Sequence, residues 1–423
     1  MSSFLSNQTQ LQAFVRHTVN QTAVTDMHTH LYAPSFGQLM TYGINEQLNY
    51  HYLISEAMRH SPLSYEEFWA LSETERADHV WKILFLDHSP YSESARGVLT
   101  TLQQLGQDVA NRNLDRYREW YSTLSREAVV DLVLQTANVK EVVMTNDPFD
   151  EVERSLWLAD KEGKLKKDGR FHAALRIDPL LNDWTNSYRK LQEWGYDVNE
   201  QFTSADERTI SEVSGFLTEW VKRMNPLYMA VSLPNSFNYP LDDVRTLLIE
   251  KCVIPVCSQA NIPLALMIGV KRQVNPQLRL AGDMVGPSHI EAVERICRQF
   301  PNNRFLVTML SRENQYELTV LARKFRNLMV FGCWWFLNIP SLIEEMTEMR
   351  FELLGTSVIP QHSDSRVLDQ LIYKWSHSRE IIANVLCSKY EKILETGWRL
   401  EKQEIERDVA DLLSNNFWKF IKR

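Results

Sequence analysis

The chain has 423 residues, 44% of them apolar, enough for two or three average domains or for one large α/β barrel with an insertion. Its net charge of -8 is spread without a basic block, which argues against a nucleic-acid partner, because a phosphate backbone demands a concentrated cationic footprint. Five cysteines (Cys252, Cys257, Cys297, Cys333, Cys387) without knuckle spacing suit reduced thiols, and neither the polar residues 1–23 nor any later segment reads as a leader or membrane span, so a cytoplasmic protein with no membrane partner is expected.

Short β-branched or apolar runs alternate with charge-laced helical stretches along most of the chain. The first run covers residues 23–27. After a long gap come 139–144 (VKEVVM), 171–177 (FHAALRI), 228–233 (YMAVSL), 263–268 (PLALMI), 304–309 (RFLVTM), 328–332 (LMVFG) and 356–360 (TSVIP). Eight strand-then-helix units predict a closed (β/α)8 barrel. A doubly wound open sheet is less favoured, because no glycine-rich phosphate loop follows an early strand. The gap after the first strand is too long for one connection. Its helical signatures, such as TLQQLGQDVANRNLDRYREWYSTL, predict a mainly helical insertion over residues 35–130 above the barrel mouth. Residues 1–34 would then carry the N-terminal segment and first strand, and residues 131–423 the rest of the barrel and further helices. The stretch 376–423 is expected to complete the outer helical ring, with an oligomer contact as the other use.

In such a barrel, chemistry sits at the C-terminal ends of the strands. The first strand runs into VTDMHTHL, where His28 and His30, two apart in an extended chain, point the same way. The eighth leads into QHSDSR. First and eighth staves are neighbours in a closed barrel, so Asp364 can join the two imidazoles in holding one divalent metal ion, with Zn2+ the first choice. His362 shares the parity of Asp364 and is either a supporting or a structural histidine. Arg176 and Asp178 end the third strand, Lys271 and Arg272 the fifth, Arg312 follows the sixth, and Arg366 follows Asp364. Each arginine alone suits a surface or structural role, but as a set at one mouth they favour an anionic substrate held through paired hydrogen bonds. The insertion opens with Asn49-Tyr50-His51-Tyr52, whose polar groups can reach sugar hydroxyls, and the seventh strand ends in FGCWWF. Of Trp334 and Trp335, one is expected in the pocket and one in the core. The fourth strand has no lysine to carbamylate, and the fifth and sixth have no histidine, so a two-metal hydrolase is disfavoured.

The combination of TDMHTHL, ALRIDP, FGCWWF and HSDSRVLDQLIYKW resembles the uronate isomerase (glucuronate isomerase) family, a divergent branch of the amidohydrolase superfamily, over essentially the whole chain. The resemblance implies interconversion of D-glucuronate with D-fructuronate and of D-galacturonate with D-tagaturonate. It also implies that His28 and His30 are metal ligands, that Asp364 contacts the metal or its water, and that Arg366 works beside it. Arg176 would meet the sugar acid, His51 with Tyr52 (or Tyr50) would be the histidine–tyrosine pair of the insertion, and Trp335 or Trp334 the strand-seven tryptophan. Two departures mark a divergent branch. Met267 and VKRQVNP stand where many members carry a histidine and an arginine-asparagine run, and SLPNSF lacks their Asp-His pair.

For aldose–ketose exchange, Asp364 is the first choice of proton-abstracting base, directly or by way of a water, with Tyr52 or Tyr50 shuttling a hydroxyl proton. The metal and the arginines would offset charge on the oxygens. An intramolecular hydride shift stays open. The other readings are a one-metal hydrolase of a small anionic amide or lactone, and a non-catalytic sugar-acid binding protein.

Overall fold

The computed structural model describes residue 5 and residues 7–422. Seven strands form one parallel sheet in sequence order: β1 (Val24–Thr29), β2 (Val139–Asn146), β3 (Phe171–Arg176), β4 (Met229–Pro234), β5 (Leu264–Lys271), β6 (Phe305–Met309) and β7 (Leu328–Val330). A two-residue strand, Met284–Val285, folds back antiparallel onto the end of β5, a hairpin the sequence pattern did not reveal. Side chains alternate across the sheet as strand geometry requires. Leu264, Leu266 and Ile268 face the helices, whereas Ala265 and Met267 face the barrel interior with Met27, Val143, Ala174, Ala230, Leu306 and Met329. Alanines on β3, β4 and β5 leave that interior room for the large ring of Tyr228.

The eighth expected strand, residues 356–360, is a correction. It is an extended stave joined to the sheet by a single parallel bridge, Phe331 with Ile359. Pro360 has no N–H to give, and the Val358 carbonyl is taken by the Asn416 side chain, so no ladder can develop. The stave nevertheless closes the barrel. Asp364 N–H donates to His28 O at 3.3 Å, and His30 N–H donates to Ser365 O at 2.8 Å. The Asp26 carboxylate, fully buried, accepts from Ser363 N–H (3.1 Å) and from Trp375 Nε1–H (2.8 Å).

Between β1 and β2 the chain is helical, from Ile44–Leu48 and His51–Ala57 through Glu93–Gln104 and Leu114–Ser122 to Arg126–Ala137, the helix that leads into β2. Ser64 with Glu67 and Ser72 with Glu75 start two of these helices as reciprocal capping boxes. The long helix Gln370–Glu395 belongs to the outer ring, where it packs on Gln8–Gln21 and Pro340–Leu354. Helix Lys402–Ala410 then packs on Gln8–Gln21, as expected of the outer ring, but the last helix does not extend that ring. Helix Asn416–Ile421 places Phe417, Phe420 and Ile421 in the barrel's interior cluster, and Trp418 Nε1–H donates to Glu141 and Thr25. It closes the end of the barrel opposite the mouth because its apolar face matches an otherwise open core. No helix among the described residues is long and apolar enough to cross a membrane.

Asp26→Ala leaves two buried donors, Ser363 N–H and Trp375 Nε1–H, without an acceptor. At about 1–3 kcal/mol for each stranded group, a loss of roughly 2–6 kcal/mol is expected in urea unfolding, and Trp375→Phe should cost less.

Candidate active site

The register between β1 and β2 slips just before the mouth. Asp26 pairs with Val142 and Thr29 with Met144, so β1 takes three steps where β2 takes two. Such a bulge re-aims side chains. Met27 and His28 both enter the barrel, and His28 lies against the interior rings of Phe331 and His362. His28 and His30 then converge on Asp364, with Nε2 to Oδ1 distances of 3.7 and 3.3 Å. One ligand atom from each of the three residues lies within 4.8 Å of the others.

These three residues fit a metal ion by their chemistry. Burial lowers the pKa of His28 to about 3 and holds His30 well below the usual imidazole range, so both rings are neutral and keep a lone pair. Asp364 Oδ1 is buried without a hydrogen-bond partner, the expected state of an acceptor whose natural partner is a cation. Asp364 also sits at φ +54°, in the left-handed region that L residues seldom occupy and that concentrates at functional sites. His362, behind His28, has neither ring nitrogen paired among the described residues, and burial lowers its pKa to about 3. Gly332 is required beside it, since a Cβ there would come within 1.7 Å of His362 Nδ1.

A cavity of about 520 Å³ opens over this group, lined by His30, Tyr50, His51, Asp147, Arg176 and Arg366. Arg176 donates to Asp178 at 2.6 Å. The Arg366 guanidinium makes no ion pair among the described residues. A second cavity of about 310 Å³ adjoins the first at His51, Leu280 and Ala281, and it is lined by Tyr52, Trp335 and Phe336. Trp335 stands at φ +49° with its indole N–H unpaired, while Trp334 is packed in the interior cluster and lines neither cavity. Arg312 is a further correction. Its half-exposed side chain turns outward to Glu345 (3.0 Å) on helix Pro340–Leu354, because the short helical turn after β6 carries it away from the mouth. Arg272 is paired with the buried Asp283 carboxylate and lies over the Trp335 ring.

Several lining residues lay outside the sequence reading. Asp147 follows β2 as Arg176 ends β3, so its strand-end position was a usable signal. Burial, partly offset by Arg176, raises its pKa to about 6. The buried Glu153 carboxylate holds it in place, accepting from Asp147 N–H and from Tyr32 OH, itself a lining residue. Arg76 and Trp69 come from the insertion, and Arg279 comes from the loop after β5 and stacks on Trp69. No local pattern marks these three.

Two neutral histidines, one unpaired carboxylate and a pair of arginines thus meet at the mouth of a parallel β/α barrel, an arrangement suited to a small anionic molecule. No protein-family model and no curated protein matches the chain. Among solved structures, a uronate isomerase from Bacillus halodurans C-125 is 55% identical, with a TM-score of 0.96 over 99% of this chain and 98% of that one. The chain belongs to the uronate isomerase family. A uronate isomerase from Thermotoga maritima (17% identical, TM-score 0.77, 99% and 98% covered) shares the fold. So does a glucuronate isomerase from Caulobacter crescentus (14%, 0.76, 99% and 96%).

His28→Asn removes one of the three converging ligand atoms but little apolar packing. It is expected to lower retained metal sharply at unchanged circular dichroism, and a folded variant with the full metal content would exclude His28 as a ligand.

Proposed function

We infer that this chain is an aldose–ketose isomerase of uronates, exchanging D-glucuronate with D-fructuronate and D-galacturonate with D-tagaturonate. The observation that carries this reading is the end-to-end likeness to a uronate isomerase at 55% identity. The site supports it: the Asp364 carboxylate, suited to moving a proton, lies against His30, which lines the same cavity as Arg176 and Arg366, cations suited to a sugar acid. A two-metal hydrolytic centre has less support. Met267, where a further ligand would stand on β5, is buried among apolar interior side chains.

His28, His30 and Asp364 would hold one divalent metal ion, Zn2+ being our assignment. When bound, the ion supplies Lewis-acid stabilisation of negative charge on the sugar oxygens. Asp364 takes the proton from C2 of the open-chain aldose, and the electron pair left behind forms the enediolate. Returning that proton to C1 completes the carbon exchange, while the O2 hydroxyl proton passes to O1. We assign this second transfer to Tyr52, which lines the adjoining cavity with Tyr50 and His51 beside it. Burial raises the Tyr52 phenol well above its ordinary range, so it works as a neutral donor and acceptor and not as a phenolate. Arg366 faces charge developing near Asp364, Arg176 grips the distal carboxylate, and Trp335 covers the inner cavity. Five buried free thiols support a cytoplasmic setting.

Turnover in heavy water should place deuterium at the C1 position of the ketose. Product free of deuterium at every pH and turnover number, with a shielded base excluded kinetically, would replace proton transfer with a hydride shift.

Arg176→Met should lower kcat/KM for a uronate by roughly 30-fold to several thousand-fold, as about 2–5 kcal/mol for a lost charge partner implies. A neutral aldose without the C6 carboxylate should lose far less. Equal proportional losses on both sugars would show that Arg176 only supports its loop.

A further inference from the structure

His28 and His30 are each held from behind by a hydroxyl, and the two arrangements repeat. The Tyr228 hydroxyl lies 2.6 Å from Met27 O and 3.1 Å from His28 Nδ1. The Thr145 hydroxyl lies 3.0 Å from Thr29 O and 2.8 Å from His30 Nδ1. In both cases the carbonyl belongs to the residue just before the histidine. A carbonyl oxygen can only accept, and a hydroxyl has one proton. Two oxygens 2.6 Å apart need a proton between them, so Tyr228 gives its proton to Met27 O. What remains toward His28 is an oxygen lone pair, and a neutral imidazole can meet it only with Nδ1–H. For Thr145, donation to Thr29 O at 3.0 Å likewise leaves a lone pair toward His30 Nδ1 at 2.8 Å, the direction assigned here.

We propose that Tyr228 and Thr145 are paired positioning residues that fix the tautomers of His28 and His30, protonating each ring at Nδ1 and turning both Nε2 lone pairs toward Asp364. The inference rests on the metal reading given under Proposed function. The competing arrangement would put the protons on Nε2, where Asp364 Oδ1 at 3.7 and 3.3 Å could receive them, and would close both lone pairs to a metal. The hydroxyls exclude it before any ion arrives. Both come from staves other than the one carrying the histidines. Thr145 lies on β2, and Tyr228 immediately precedes β4, its fully buried ring crossing the barrel interior. The lock is therefore a property of the closed barrel and not of the HxH segment.

The test uses the full chain, stripped with a chelator, labelled with 15N in its imidazoles and assigned through single histidine variants. Long-range 15N–1H spectra of the metal-free wild type should show the Nδ1–H tautomer for both His28 and His30. Thr145→Val should lose this preference at His30 and bind Co2+ about 10- to 100-fold more weakly, the usual effect of removing a group that orients a metal ligand. Thr145→Ser, which keeps the hydroxyl, should restore both the spectrum and the affinity. Tyr228→Phe should do at His28 what Thr145→Val does at His30. If it fails to fold, the wild-type spectrum still decides His28. Nε2–H tautomers in the wild type would overturn the proposal, as would a Thr145→Val chain that keeps wild-type tautomers and Co2+ affinity. A wild-type chain with Nδ1–H histidines that binds no Co2+ would instead overturn the metal reading and leave the hydroxyl lock standing.

Discussion

The site depends on a seam of hydrogen bonds between the two ends of the barrel. β1 and the stave around residue 360 come from opposite halves of the chain, and no ladder joins them. Three contacts replace it: Asp364 N–H to His28 O, His30 N–H to Ser365 O, and Ser363 N–H to the Asp26 carboxylate, which also accepts from Trp375 Nε1–H on the helix Gln370–Glu395. Two of them involve backbone groups of the residues that would bind the ion. Closing the barrel and assembling the histidine–carboxylate group are therefore one event. The bulge in β1 belongs to the same constraint, because it brings His28 onto the inner face while Asp26 stays on the outer one.

Burial sets the electrostatics of the mouth more than pairing does. His28, His30 and His51 are kept neutral by desolvation, with nearby arginines adding to the effect. Removing water also strengthens each remaining charge interaction. The arginines divide the work. Arg176 is braced by Asp178, which orders its fork, and Arg366 faces the cavity without an ion pair among the described residues. The loop after β5 ties the barrel to the insertion: Trp69 Nε1–H donates to Gln277 O, and Asn275 Nδ2–H to Tyr65 OH. That strap divides the larger cavity from the smaller one at Leu280 and Ala281.

Much of this was legible in the sequence, for identifiable reasons. Seven strands announced themselves through β-branched runs of fixed length, and the barrel's topology then made neighbours of VTDMHTHL and QHSDSR. Strand-end position was enough to put Arg176 on the cavity wall. It misplaced Arg312, because a helical turn after β6 sends that side chain outward, and position alone carries no direction. The eighth strand misled for a related reason: TSVIP has strand composition, but its partners are side chains and one bridge. Arg76, Arg279 and Tyr228 meet the site only through long-range packing. No window of sequence contains the geometry that makes an interior tyrosine a support for His28. The final helix was expected in the outer ring because its periodicity is that of any amphipathic helix, and the face it covers is defined by staves distant in sequence.

The seating of Phe417, Phe420 and Ile421 inside the barrel's far end sets a timetable for synthesis. Thr25 Oγ1 lies 2.8 Å from Ser414 Oγ, across 389 positions of chain. At about 5–20 residues per second, roughly 20–80 s pass between the birth of β1 and that of its lower neighbour. During that interval the strands already made lack the apolar cover that Phe417, Phe420 and Ile421 give the interior. The outer helices can gather earlier around the first strands. The interior can be completed only after residue 421 has cleared the exit tunnel, so the floor of the barrel is the last part to be closed.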